Sequence, residues 1–214
     1  MKDEKNNISL KVILLGEASV GKTSLRNVYY NNKFEQNIDN TLTASCIQKT
    51  IEINNRNYSL KIWDTAGQER FRCLNKIYIK DSNIVIFVYD ITRKSTLNEL
   101  NYWINYANEI LGNESAVYGI VGNKIDLFDK EDEIKQIDPD MEFNLVSHNE
   151  GNDFAEKNDA IFCETSSKEG APGFSEFIRK VVEQYIRKKN FKKSDTLVLK
   201  KNESIVEEEK KCCF

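Results

Sequence analysis

The sequence has little of what marks the special classes of protein. Proline occurs twice and glycine nine times in 214 residues, so a collagen-like chain is excluded. Hydrophobic residues make up 40% and charged residues 30%, which excludes a wholly disordered chain. The longest apolar run, Ile84 to Tyr89, is far too short for a bilayer-spanning helix. Met1 to Asn7 is charged and leads into a short apolar run without small cleavage-type residues. That is not the make-up of a secretory signal. The five cysteines are an odd number: Cys46, Cys73 and Cys163 lie apart, and Cys212 and Cys213 are adjacent. They show no metal-ligand spacing and are too few for a disulfide scaffold, so a reduced, cytosolic setting is expected. The sole histidine, His148, is expected to cap or pack rather than catalyse. Basic charge is not in excess, with 31 Lys and Arg against 34 Asp and Glu and a net charge of −3. No nucleic-acid partner is expected on that balance.

That small net charge averages over two unlike stretches. Residues 128–145 hold seven acidic and two basic side chains, and residues 187–214 hold nine basic and five acidic ones. The first reads as an acidic, solvated surface loop, with a docking element for a basic partner as the alternative. The second lacks a strong apolar period and reads as a flexible extension. A domain over 1–188 followed by a tail over 189–214 is the expected organisation.

Within the domain, strands and helices alternate. Ile8 to Leu15 is an apolar run ending at Gly16, and a helical stretch follows the glycine loop. Ile47, Lys49, Ile51 and Ile53 alternate with polar residues, as do Tyr58, Leu60 and Ile62, and Asn54-Asn55 stands between them. This pattern predicts a hairpin. Ile84–Tyr89 and Val117–Val121 are continuous apolar runs, as expected of strands buried on both faces of a parallel sheet. Ser95 to Leu111 reads as a helix with Leu97, Leu100, Ile104 and Ile110 as core positions. Ala160–Cys163 reads as a short strand. Phe174, Phe177, Ile178, Val181, Val182 and Tyr185 keep a 3.6-residue period and predict a final helix. The fold class is α/β, with helices on both faces of a sheet.

Two motifs carry chemistry. Gly16-Glu17-Ala18-Ser19-Val20-Gly21-Lys22-Thr23 fits G-x-x-x-x-G-K-[ST] between a strand and a helix. The glycines let backbone N–H groups close on phosphate oxygens at a helix N-terminus. Lys22 is expected to reach the β- and γ-phosphates, and the Thr23 hydroxyl to ligate Mg²⁺. Asn123-Lys124-Ile125-Asp126 follows a buried strand, at the carboxyl end where such sheets bind ligands. A carboxylate there can accept from the N1–H and N2 amine of guanine, which adenine does not offer. An ATP-using enzyme is therefore disfavoured.

With these motifs in place the chain resembles the Ras-superfamily small GTPases, and most the Rab family. Trp63-Asp64-Thr65-Ala66-Gly67-Gln68-Glu69-Arg70-Phe71 matches the Rab form of the second switch. Glu164-Thr165-Ser166-Ser167-Lys168 matches the last guanine-contacting loop. Phe34 and Thr41 stand at the spacings of the base-stacking aromatic and the switch threonine. The resemblance implies a three-layer P-loop G domain with a mostly parallel six-stranded sheet and one antiparallel edge hairpin. It implies nucleotide contacts from Ser19, Val20, Gly21, Lys22, Thr23, Ser24, Phe34, Thr41, Gly67, Asn123, Lys124, Asp126, Ser166, Ser167 and Lys168. Mg²⁺ would be held by Thr23, Thr41 and Asp64. Gln68 would orient the attacking water, making the chain a slow GTP hydrolase that cycles between GTP and GDP. Loss of the γ-phosphate would release both switch loops.

The family also implies partners: effectors, an exchange factor, a GTPase-activating protein and a GDP dissociation inhibitor. The Cys212-Cys213-Phe214 ending resembles Rab tails that carry two geranylgeranyl groups, which hold a membrane stably where one lipid does not. The expected location is the cytoplasmic face of vesicle or endosome membranes, with a cytosolic pool. Ala44-Ser45 resembles the early-endosomal Rab branch. Departures from the pattern are Ala18 near the γ-phosphate, Thr43 for a glycine, Ser167 for an alanine, and Cys46 in place of an aromatic that usually joins Trp63 and Tyr78 on the effector-facing surface. The 128–145 stretch sits where Rho GTPases carry an insert, so a Rho-like cytoskeletal GTPase is one alternative. A non-hydrolysing GTP-dependent adaptor is another.

Overall fold

A computed structural model describes residues 8–35, 41, 44–65, 72–112, 116–130 and 143–190. The chain runs through β1 (Ile8–Leu15), α1 (Lys22–Asn31), β2 (Ser45–Ile53), β3 (Arg56–Asp64), α2 (Arg72–Ile79) and β4 (Ile84–Asp90). It continues through α3 (Lys94–Leu111), β5 (Val117–Asn123), a 3-10 turn at Ile125–Leu127, α4 (His148–Lys157) and β6 (Ala160–Thr165). A last helix, α5, spans 174–190.

The six strands form one sheet in the order β2-β3-β1-β4-β5-β6. Among the described residues only β2 and β3 pair antiparallel; the other strand pairs are parallel. The expected hairpin is the edge of this sheet. Its two-residue turn places Asn54 and Asn55 at φ 51° and 59°, the left-handed pair that closes a tight hairpin and that asparagine tolerates.

The continuous apolar runs follow from burial on both faces. Along β4, Ile84, Ile86 and Val88 enter one core with Leu25, Val28 and Tyr29 of α1 and Phe174, Phe177, Ile178 and Val181 of α5. Val85, Phe87 and Tyr89 enter the other with Ile79 of α2, Leu97, Leu100, Trp103 and Ile104 of α3, and Ala155 of α4. This is the three-layer arrangement the pattern implied.

Several elements extend past their expected ends. β5 continues from Val121 to Asn123 and β6 from Cys163 to Thr165, which carries both strands to the carboxyl edge of the sheet. Helices α2 and α4 were not among the sequence expectations. The start of α4 is nevertheless written in Ser147-x-x-Glu150: the Ser147 hydroxyl accepts from the Glu150 N–H, and the Glu150 carboxylate accepts from the Ser147 N–H. Ser147 is thus the cap. His148 is the first helical residue, bonding Glu164 Oε2 through Nδ1 at 2.6 Å and lying 5.4 Å from the Phe162 ring.

Candidate nucleotide-binding site

The order of the strands decides where the chemistry collects. Chain order reverses around β1, which lies between β3 and β4, and the glycine loop leaves its carboxyl end at this switch point. Parallel register then lines up Asp90, Asn123 and Thr165 across the ends of β4, β5 and β6. Two segments far apart in sequence, the glycine loop and Asn123–Asp126, therefore meet at one edge.

The glycine loop has a backbone that side chains would block. Gly16 has φ 141°, and a Cβ there would lie 2.2 Å from the Val88 carbonyl oxygen. Gly21 has φ 95°, and a Cβ would lie 2.2 Å from Asn123 Nδ2. Ser19 also adopts a positive φ, 63°. Lys22 is buried, and its ammonium donates to the carbonyls of Gly16 and Glu17 at 2.8 and 2.6 Å. Burial pushes its pKa down to about 8 against the pull of Asp64 and Glu17. A buried ammonium held by neutral carbonyls is poised for a stronger anionic partner.

Asn123 braces the site. Its Nδ2 donates to the Val20 carbonyl at 2.8 Å, and its Oδ1 accepts from the Ser167 N–H at 3.0 Å. The glycine loop, the Asn123–Asp126 loop and the 164–168 loop are thereby tied together. Ser167 lies on the loop expected to contact guanine, and its N–H serves Asn123. Asp126 Oδ1 accepts from the buried Ser166 hydroxyl at 2.6 Å. Lys124, at φ 74°, sends its ammonium to Asp90 Oδ2 at 2.6 Å. Lys168 is exposed, Ser24 is half-buried on α1, and Phe34 follows α1 in an exposed position.

Asp90 and Arg93 are site residues the motifs did not indicate. Asp90 is fully buried and takes bonds from Lys124, from Arg93 Nε at 3.2 Å, and from the Thr92 N–H and hydroxyl at 3.0 and 2.7 Å. Burial pushes its carboxyl up, but Lys124 and the Thr92 hydrogen bonds outweigh that, and its pKa lies below the usual carboxylate range. Arg93 also donates to the Ala18 carbonyl at 3.3 Å. A carboxylate at a strand end followed by Ile-Thr-Arg was a readable signal of local turn bonding. The link to Lys124 was not readable, because it crosses strands.

The three expected metal ligands converge. The Thr23 hydroxyl donates to Asp64 Oδ2 at 2.7 Å and lies 2.8 Å from the Thr41 hydroxyl. Asp64 is fully buried, and its Oδ1 has no hydrogen-bond partner among the described residues. Burial pushes the Asp64 carboxyl up, against the bond from Thr23 and the charges of Arg26 and Lys22. Two hydroxyls and an open carboxylate oxygen suit a hard divalent cation such as Mg²⁺, with phosphate oxygens and water completing its shell. Among the described residues no three His, Cys, Asp or Glu side chains form a metal cluster, so protein carboxylates alone would not chelate it.

Gly67 and Gln68 lie outside the described residues, as do 131–142 of the acidic stretch and Cys212 and Cys213. On the hairpin, Cys46 is the register partner of Trp63, and the Trp63 and Tyr78 rings are 5.3 Å apart. The three positions expected to form one surface therefore adjoin.

Sheet order, glycine loop and base loop together define a P-loop α/β domain of the G-domain type. The family model of the Ras family matches residues 11–187, and the chain belongs to that family. It is 50% identical over 119 residues to the Ras-related protein Rab-21 of Canis lupus familiaris, covering 56% of this chain and 53% of that protein. The Homo sapiens protein of the same name is also 50% identical over 119 residues, at 56% and 52% coverage. That of Geodia cydonium is 46% identical over 120 residues, at 56% and 52%. The matched stretch spans about half the length of these curated relatives.

Proposed function

We propose that this chain is a Rab-type small GTPase: a guanine-nucleotide switch that hydrolyses GTP slowly and acts in vesicle traffic on intracellular membranes. The observation that carries this reading is the Asn123 brace. It ties the Val20 carbonyl of the glycine loop to the Ser167 N–H, and the neighbouring Ser166 hydroxyl bonds Asp126. The similarity to proteins named Rab-21 supports the Rab branch and an endosomal address.

In this reading Ser19, Val20, Gly21, Lys22, Thr23 and Ser24 surround the phosphates. Asn123, Lys124, Asp126, Ser166, Ser167 and Lys168 bind the guanine side, and Phe34 covers the base. Thr23, Thr41 and Asp64 would hold Mg²⁺, which when bound supplies positive charge to the β- and γ-phosphate oxygens. Thr41 and Gly67 sense the γ-phosphate, and Gln68 positions the attacking water. Hydrolysis by positioning alone is slow, on the order of 10⁻⁴ s⁻¹, until a partner supplies an arginine. The useful product is the conformational state, read by effectors on the Cys46–Trp63–Tyr78 surface and reset by an exchange factor, a GTPase-activating protein and a GDP dissociation inhibitor. No helix among the described residues is long and apolar enough to cross a membrane. The 189–214 tail with geranylgeranyl groups on Cys212 and Cys213 is the proposed attachment.

Fluorescent GDP binding with GTP and ATP as competitors tests the nucleotide. Competition by ATP equal to that by GTP would refute the reading. Single-turnover GTP hydrolysis should be abolished by Gln68→Leu and accelerated by Ala18→Gly if the Ala18 methyl crowds the water. Mass spectrometry of protein from its native cell should find two prenyl adducts on Cys212 and Cys213, and free thiols there would refute the anchor.

A further inference from the structure

A cation stands beside the expected metal site that no motif accounts for. Arg26, one turn into α1, places Nη1 3.6 Å from Asp64 Oδ2, and its side chain is only 15% exposed. The guanidinium is fixed from several sides. Nη1 also donates to Ser45 Oγ at the start of β2. Nε and Nη2 donate to Asn27 Oδ1 at 3.1 and 2.6 Å. The guanidinium brings one positive charge to the Asp64 carboxylate.

Asp64 must therefore serve two cations. Its Oδ2 faces both Arg26 and the Thr23 hydroxyl, while Oδ1 stays open. A divalent ion bound next to Asp64 would be repelled by the guanidinium. With the ion gone, the same guanidinium keeps the buried carboxylate compensated, which a bare carboxylate near phosphates would not be. Because Arg26 also holds Ser45, the compensation reaches the strand that follows the Thr41 segment.

We infer that Arg26 is a built-in counter-cation at the Mg²⁺ site, which weakens Mg²⁺ binding and makes nucleotide release less dependent on the ion. This rests on the guanine-nucleotide reading above. A positive charge on the carboxylate that would hold the ion is expected to change Mg²⁺ affinity on the order of tenfold in a partly solvated site.

The test uses the full chain loaded with fluorescent GDP, and follows release across free Mg²⁺ from EDTA-buffered to millimolar levels. Arg26→Gln should move the half-maximal Mg²⁺ concentration down by about tenfold. It should also release GDP faster than wild type in EDTA. Arg26→Lys, which keeps the charge, should stay within ~3-fold of wild type at both ends. Thermal melts in saturating Mg²⁺ and GDP check folding; if Arg26→Gln does not fold, Arg26→Met gives the same readout. An unchanged or raised midpoint on loss of the charge overturns the inference, as does a lysine variant that behaves like the glutamine one. A wild-type chain that binds no GDP, or ignores Mg²⁺ altogether, overturns the nucleotide reading along with it. A normal Mg²⁺ response identical in all variants overturns the Arg26 role alone.

Discussion

Asp90→Ala should destabilise the protein by about 2–6 kcal/mol, and Asp90→Asn by about 1–3 kcal/mol. The difference comes from which donors lose their acceptor. Asp90 Oδ1 takes both the Thr92 N–H and the Thr92 hydroxyl, and Thr92 is itself fully buried. Alanine strands two donors without water, at about 1–3 kcal/mol each. Asparagine keeps an Oδ1 for both and gives up only the charge-assisted bonds on the other oxygen. Lys124 and Arg93, which make those bonds, have side chains 26% and 23% exposed, so they can turn to water and their share is discounted. Urea unfolding of the GDP-loaded protein measures both values, provided the slopes agree. Equal costs for the two variants, or an alanine variant losing under about 1 kcal/mol, would refute the reasoning. Both variants release the Lys124 ammonium, so both should raise the GDP dissociation rate. The pH dependence carries a sign. The Asp90 pKa is depressed on folding, so its stabilisation is present above the unfolded carboxylate value of about 3.9 and is lost as pH falls through the folded one. Below about pH 4 the wild type should lose stability more steeply than Asp90→Asn.

Further outcomes follow from other contacts. Gly21→Ala forces a side chain onto Asn123 at a φ of 95°, so GDP affinity should fall at least ~10-fold by equilibrium titration; unchanged affinity would mean the loop accommodates a methyl. Tyr89→Phe removes a buried hydroxyl with no hydrogen-bond partner among the described residues and should raise stability by about 1 kcal/mol; a comparable loss in a urea titration would refute this. For Lys22, whose pKa falls to about 8 when buried, phosphate favours the charged form, so GDP binding should take up about half a proton at pH 8 and affinity should decline above it. Calorimetry in buffers of different ionisation enthalpy reads this directly, and zero uptake would refute it. The same depressed value means that the empty folded protein gains stability between pH 8 and the ordinary lysine value of about 10.4, where only the unfolded chain still holds that proton.

The parts legible in the sequence are those set by neighbours along the chain. The glycine loop was readable because its backbone conformation depends on Gly16 and Gly21 themselves. The hairpin was readable because Asn54-Asn55 can occupy the left-handed region, and β4 because burial on both faces leaves an unbroken apolar run. α4 is not legible in the periodicity although its capping box is present, since its apolar face is small: Ala155 and Gly151 are its buried positions. A Cβ at Gly151 would lie 2.3 Å from Tyr89 Oη, so close packing replaced the apolar stripe that periodicity looks for.

Tertiary structure decided the charge partners. Lys124 reads as a base-loop residue in the sequence, but only the β4–β5 register brings it to Asp90. Arg26 reads as an ordinary helix residue, but only the packing of α1 beside β3 brings it to Asp64. Local patterns report φ, ψ and burial, which short-range sterics and solvent fix. An ion pair between distant segments depends on strand order and register, which the whole core sets at once. The sequence alone therefore determined the kind of domain and the two loop motifs; the folded sheet decided which charged partners those loops share.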